Sequence, residues 1–276
     1  MAVLRVMASR HSAFYSPLLG AIAAGFLQEE GFEPVYAPLP SGKTVAQLLV
    51  AGEIDVAQSA VSASWGALEQ GQTPPTVHFA QINERDGFLI AARQPDSAFS
   101  WDKLRSGTFM FVHGGQPQAM LAYAMHKQGI DLKQVRALNA GASEAMMAAW
   151  RQGQGDYFHE QGPYPQQLVQ EQVAHIVASV GEVIGPVAFS SLTATREWVN
   201  TTAAAEIAKV EQAFFPAVDP AALTATIAFY QQLGCWNPSV TISRAAYEVA
   251  LEVFLHAQLI TRRHPYEQVV VPPPEG

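Results

Sequence analysis

Thr44-Val45-Ala46-Gln47-Leu48-Leu49-Val50-Ala51-Gly52, continued by Glu53-Ile54-Asp55-Val56-Ala57-Gln58-Ser59-Ala60, reads as a helix, a stop and a strand in immediate succession. Thr44 supplies a side-chain oxygen for a helix start, and Gly52 supplies the left-handed residue that closes one. The run Ile54 to Ala57 is then a short buried strand, and Gln58-Ser59-Ala60 is a turn that opens a further helix ending near Gly71. Upstream, Val3 to Ala8 is a strand followed by the polar turn Ser9-Arg10-His11-Ser12. Leu18, Ile22 and Phe26 then recur at helical spacing up to Gly31, and Pro34 to Leu39 is extended. Downstream, Thr76 to Ile82 is a fourth strand. Strand and helix alternate in this way in a mostly parallel, doubly wound α/β sheet.

The alternation pauses over residues 84–95 and restarts. Phe88 to Ala92 is extended, Trp101-Asp102-Lys103-Leu104 is a helical turn, and Thr108 to Val112 is a strand ending in His113-Gly114-Gly115-Gln116-Pro117. A helix from Gln118 to Gln128, a strand from Val135 to Asn139, a helix from Gly141 to Trp150 and a strand from Asp156 to His159 complete a second α/β unit that closes near Pro186. Val187 to Ser191 is extended. The remainder is expected as helices over Ala203 to Phe214, Pro220 to Leu233 and Arg244 to Leu259.

Composition narrows the function. Hydrophobic residues make up 49% and charged residues 14% of the 276, ample for a folded core and unlike a disordered chain. The net charge of −8 carries no basic cluster, which argues against nucleic acid and anionic membranes as partners. No stretch approaches the roughly 20 apolar residues of a membrane span. Val3 to Met7 already reads as a strand with no basic stretch before it, so no export signal is expected within the chain. A periplasmic or extracellular protein whose leader was removed and a cytoplasmic one both fit. The single Cys235 excludes an intramolecular disulfide and reads as a buried thiol.

Parallel sheets place ligands at the carboxyl ends of their strands, and four such turns here are small and polar: 9–12, 58–62, 113–117 and 140–143. Each leads into a helix, whose free N–H groups favour a polar or anionic ligand group. The candidates are Ser9, Arg10, His11, Gln58, Ser59, Ser62, His113, Gly114, Gly115, Gln116 and Ser143, with the aromatics Phe14 and Tyr15 offering a face to a planar ligand. Core packing of a helix start is the equal alternative for Phe14 and Tyr15, and it is the preferred reading of Trp65 and Trp150.

Chemical motifs are weak. Ser41-Gly42-Lys43-Thr44 ends like a phosphate-binding loop, but Ala37 stands where that loop needs glycine, which leaves a plain helix start. Gly141-Ala142-Ser143-Glu144-Ala145 lacks the last glycine of a nucleophile elbow, so Ser143 reads as a capping or ligand-touching residue. The eight histidines show no metal spacing. No catalytic residue, cofactor or metal is expected.

Gly52-Glu53-Ile54-Asp55-Val56-Ala57-Gln58-Ser59, Asp86-Gly87-Phe88-Leu89-Ile90, Trp101-Asp102-Lys103-Leu104 with Gly107-Thr108, and Gly153-Gln154-Gly155-Asp156-Tyr157 occur in an order and spacing that span nearly the whole chain. In these the sequence resembles the substrate-binding proteins of ABC importers, in the nitrate/sulfonate/taurine and NMT1/THI5-like branch of the type II periplasmic-binding fold. The resemblance implies two doubly wound lobes, 1–90 with 187–276 and 91–186, joined by two crossover strands that act as a hinge, with a ligand in the cleft. It places His159 and Glu160 at a cleft-facing strand end, and Asn83 (with Gln81) and Ser190 (with Ser191) beside the crossovers. It implies a monomer that captures a small solute, a pyrimidine-like amine or a small sulfonate or carboxylate, and delivers it to a membrane permease. Two rivals share the fold. One is a THI5-like pyrimidine-synthesising enzyme, whose Cys-rich motif is missing here. The other is a cytosolic ligand sensor, which carries a helix-turn-helix ahead of its first strand.

Overall fold

A computed structural model describes residues 2–195, 220–235 and 240–272. Its strands are β1 (Ala2–Ala8), β2 (Phe32–Pro38), β3 (Val56–Ser59), β4 (Thr76–Asn83), β5 (Phe88–Ala92), β6 (Thr108–Phe111), β7 (Arg136–Leu138), β8 (Tyr157–Gln161), β9 (His175–Ser179) and β10 (Ser190–Thr195). Its helices are α1 (Ser16–Ala23), α2 (Phe26–Glu29), α3 (Val45–Val50), α4 (Trp65–Glu69), α5 (Gly115–Lys127), α6 (Ser143–Arg151), α7 (Tyr164–Gln170), α8 (Val180–Ile184), α9 (Pro220–Leu233) and α10 (Arg244–His256). The helix expected over 203–214 lies outside the described residues.

Among the described residues two compact units form, 2–84 with 187–195 and 240–272, and 85–186 with 220–235. The segment 220–235, expected in the first lobe with the rest of 187–276, falls in the second unit, because α9 packs on α7. The chain therefore passes between units on either side of α9 as well as at 84/85 and 186/187, in place of the two passages expected.

The first unit holds a five-stranded sheet in the order β2-β1-β3-β10-β4. β1 runs parallel to β2 and β3, while β10 is antiparallel to both β3 and β4. Four of its five strands therefore run the same way, as expected of a mostly parallel sheet, and β10 is the reversed one. Local chemistry sets its helices. The Thr44 side chain accepts from Gln47 N while the Gln47 side chain accepts from Thr44 N, a reciprocal cap for α3. Residues 41–44 are thus a helix start. Gly25, at φ +85°, breaks the single expected helix into α1 and α2. Trp65 is fully buried, edge-on to both Tyr247 and Phe254, and donates its indole N–H to the Tyr247 hydroxyl at 3.0 Å. The outer edge of β4 is covered by the C-terminal segment: Gln81 N–H donates to Val240 O, and His78 N–H to Val269 O. Covering removes the unpaired edge that would invite another strand.

The second unit holds a five-stranded sheet in the order β7-β6-β8-β5-β9. β6 is parallel to β7 and β8, and β5 is antiparallel to β8 and β9. The apolar run Phe88 to Ala92 is buried throughout, as a strand covered on both faces must be. Met110, Met146, Met147, Trp150, Phe158 and Leu168 pack on one face. Full burial of such a side chain contributes about 1.5–3 kcal/mol. Trp150 donates to Val173 O, and the Arg93 guanidinium lies over its ring. No helix among the described residues is long and apolar enough to cross a membrane.

Candidate functional site

The strand directions gather the candidates of each unit at one end of its sheet. In the first unit the carboxyl ends of β1, β3 and β4 and the amino end of β10 share an edge, which carries Ser9, Ser59, Asn83 and Ser190. In the second unit the carboxyl ends of β6, β7 and β8 and the amino end of β5 do the same, carrying His113, Asn139, Gln161 and Phe88.

In the first unit, Ser9 donates its N–H (3.1 Å) and its hydroxyl (2.7 Å) to Gln58 Oε1, tying the ends of β1 and β3 together. Gln58 and Ser59 lie inside β3, two residues beyond the expected strand end, and are buried. His11 Nδ1 stands 3.0 Å from the Tyr36 hydroxyl, whose pKa burial pushes up to about 12. Arg10 and Ser62 are half-buried, and Ser9 is exposed. Phe14 is fully buried, edge-on to Phe189 with ring centroids 5.2 Å apart, and Tyr15 is buried beside it. Both rings are buried within the first unit. Asn83, also fully buried, donates to Phe14 O at 2.7 Å and accepts from the Ser190 hydroxyl. Phe14, Asn83 and Ser190 thus form one bonded set. Gln81 is buried with neither amide atom hydrogen-bonded.

In the second unit, α5 begins at Gly115, earlier than the expected Gln118, with Gly114 at φ +82° and Gly115 at +59°. The Gln118 side chain folds back to accept from Gly114 N–H at 2.6 Å. His113 is exposed, stacks on Phe111 at 4.0 Å, and has Nδ1 2.8 Å from Phe111 O; Gln116 is half-buried. Ser143 is the first residue of α6 rather than its cap, and its hydroxyl donates to Glu160 Oε2 at 2.8 Å. Glu160 Oε1 accepts from Gln161 N–H at 2.8 Å, and the whole residue is buried. A carboxylate at the amino end of α6 answers the positive end of the helix dipole from within the protein. His159 is fully buried, stacked on Phe88 at 4.7 Å.

Several polar groups at this end of the second sheet lie outside the candidates chosen from the sequence. Gln166 on α7 is 5% exposed with neither amide atom hydrogen-bonded, and Gln161 Oε1 is likewise unbonded. Asp86 is fully buried: its Oδ1 accepts from Phe88 N–H at 2.6 Å, Oδ2 has no hydrogen bond, and burial pushes the carboxyl up to about 8. Tyr230 of α9 is fully buried among them. Cys235 is buried, and burial raises its thiol.

The chain matches the NMT1-like family over residues 12–228. It is 27% identical to the "Putative binding protein YtlA" of Bacillus subtilis (strain 168), over 97% of this chain and 87% of that one. Its fold is similar to the periplasmic aliphatic sulphonate binding protein SsuA from Escherichia coli, with TM-score 0.69 and 15% identity over 100% of this chain and 94% of that one. It is also similar to PhnD1 from Prochlorococcus marinus (MIT 9301) in complex with methylphosphonate, with TM-score 0.58 and 13% identity over 94% and 99%.

Proposed function

We propose, from the premise that the chain belongs to the NMT1-like family, that it is the solute-binding component of an ABC importer. In this reading it captures one small organic molecule noncovalently and presents it to a membrane permease, outside the cytoplasmic membrane, as a monomer and without a catalytic step. The strand-end turns of each unit are its recognition surfaces, and the residues named in the sequence remain the candidates there. Among the similar structures, one is named for sulphonate binding and another holds methylphosphonate, so anions are one solute class to weigh.

The observation that carries the choice of class is the buried Ser143–Glu160 pair at the head of α6. An acidic group already occupies the helix end that would attract an anion. A solute bearing N–H donors, such as an aminopyrimidine, suits that carboxylate; a sulfonate facing it is repelled. Gln161 Oε1, a second buried acceptor beside it, favours the same class.

A thermal-shift screen of sulfonates, phosphonates, carboxylates, amino acids and aminopyrimidines tests the reading. A solute that binds only the folded form stabilises by about 2.7 kcal/mol at a hundredfold excess over Kd. At least one saturable shift is expected, among the amines. Silence across the panel from protein freed of bound solute sinks the receptor reading, and a shift with sulfonates alone sinks the amine assignment.

A further inference from the structure

In the first unit, the turn that leaves α4 for β4 and the C-terminal segment around Arg262 enclose a recess of about 290 Å³, lined by Leu68, Gln72, Thr73, Pro74, Arg262 and Gln268. Its walls are tied together. Thr261 donates its N–H and its hydroxyl to Glu69 Oε2 at 3.0 and 2.6 Å, and His264 Nε2 stands 2.7 Å from Glu69 Oε1. Arg262 donates to Leu68 O at 2.6 Å. The last carbonyls of α4 are otherwise met by its own turn: Leu68 O also accepts from Gly71 N–H, and Ala67 O from the N–H groups of Gln70 and Gln72. The negative end of this short helix is thus answered before the recess is reached.

The cations around the recess divide. Arg263 pairs with Glu248 and Glu252, Arg244 with Glu267, and His264 faces Glu69. Among the described residues Arg262 forms no ion pair, and it spends one of its five N–H donors, on the Leu68 carbonyl. We propose that this recess is a second binding site, for a small ionised carboxylic acid, with Arg262 as its anchor. A planar guanidinium presents paired N–H groups that match the two oxygens of a carboxylate. The exposed Thr73 hydroxyl and Gln72 carboxamide line the same recess and can donate to the remaining lone pairs. Leu68 and Pro74 offer apolar surface to a short carbon chain. The volume stands at the small end of ligand pockets, usually about 300–1,000 Å³, so the acid must be small. β4 begins beside the recess and ends at Asn83, and its eight residues at about 3.3 Å each set the recess roughly 20–25 Å from the strand-end candidates. The proposal therefore stands apart from the solute-receptor reading.

Nuclear magnetic resonance of the full chain, titrated with succinate at constant ionic strength, tests the site; succinamide is the uncharged probe of the same size. Succinate should move the amide signals of Gly71, Gln72 and Thr73 and the Arg262 Nε–H signal saturably, and succinamide should bind at least about tenfold more weakly. Arg262→Gln can still donate to Leu68 O but carries no charge, so it should weaken succinate about tenfold or more. Arg262→Lys keeps the charge without the paired donors and should fall between the two. The proposal is overturned by the absence of a saturable shift at residues 71–73, by equal binding of succinamide, or by unchanged succinate affinity in Arg262→Gln. Succinate shifts confined to Ser9, Ser59 and Asn83 place the carboxylate at the strand ends and overturn it equally. Should Arg262→Gln fold poorly, the comparison of succinate with succinamide on the wild type decides alone.

Discussion

Ser143 and Glu160, one opening helix α6 and the other near the end of β8, meet in a 2.8 Å hydrogen bond inside the second unit. Its donor is the hydroxyl that a nucleophile elbow would have used, and here it is spent on orienting a carboxylate. Glu160 in turn shares its other oxygen with the Gln161 N–H.

Glu160→Gln keeps the side-chain shape but puts an NH₂ group where one of two donors now points. Hydrogen bonds to a charged group are worth about 1.5–3 kcal/mol. Affinity for 4-aminopyrimidine should therefore fall about ten- to a hundredfold in calorimetric titration, while any taurine binding stays constant or tightens. A tighter grip on the amine in Glu160→Gln contradicts the assignment.

Asp86 makes stability depend on pH. Its folded-state pKa, about 8, lies above the unfolded carboxylate value, so between those values the folded state holds a proton that the unfolded state has released. The stabilisation is complete below the unfolded pKa, is lost as pH rises towards 8, and levels off beyond. The slope is at most about 1.4 kcal/mol per pH unit. His78 acts from the other side. Burial lowers it to about 3, so it stays neutral when folded and costs stability as pH falls below the usual histidine range. Urea unfolding at pH 5 and pH 8 should show Asp86→Asn gaining stability relative to the wild type at the higher pH. Equal pH dependence in the two proteins would refute this account of Asp86.

Gly181 and Gly66 are opposite cases. A methyl at Gly181 would overlap the Asp86 carbonyl oxygen, which is backbone and cannot swing aside. Gly181→Ala should cost about 1–3 kcal/mol. Gly66 lies in α4, where a methyl would meet open space, so Gly66→Ala should gain about 0.5–1 kcal/mol from helix propensity. Melting curves of the two variants decide, and the prediction fails if their order is reversed.

Much of the fold was legible where local chemistry decides it. Phe88 to Ala92 is the strand its apolar run announces, and Thr44 starts a helix as its side chain suggests. The reversed direction of one strand in each sheet was not legible, because a run such as Ser190 to Thr195 reads the same whether it lies parallel or antiparallel to its neighbours. Nor does the pattern of α9 say which unit buries it. Assigning α9 to the first lobe set Tyr230 apart from the unit that buries it. Candidates chosen for polarity at strand ends divided physically: Ser9 with Gln58, and Asn83 with Ser190, spend their polar atoms on each other, while Gln166 showed no more signal than any polar residue in a short helix.

The place of β10 between β3 and β4 has a consequence for synthesis. When the ribosome has delivered the first four strands, β3 and β4 have no partner on their facing edges, and none arrives until the entire β5–β9 sheet has emerged. The second sheet, built from five consecutive strands, meets no such delay. A nascent chain that must keep open strand edges apart for so long is a natural client for chaperones.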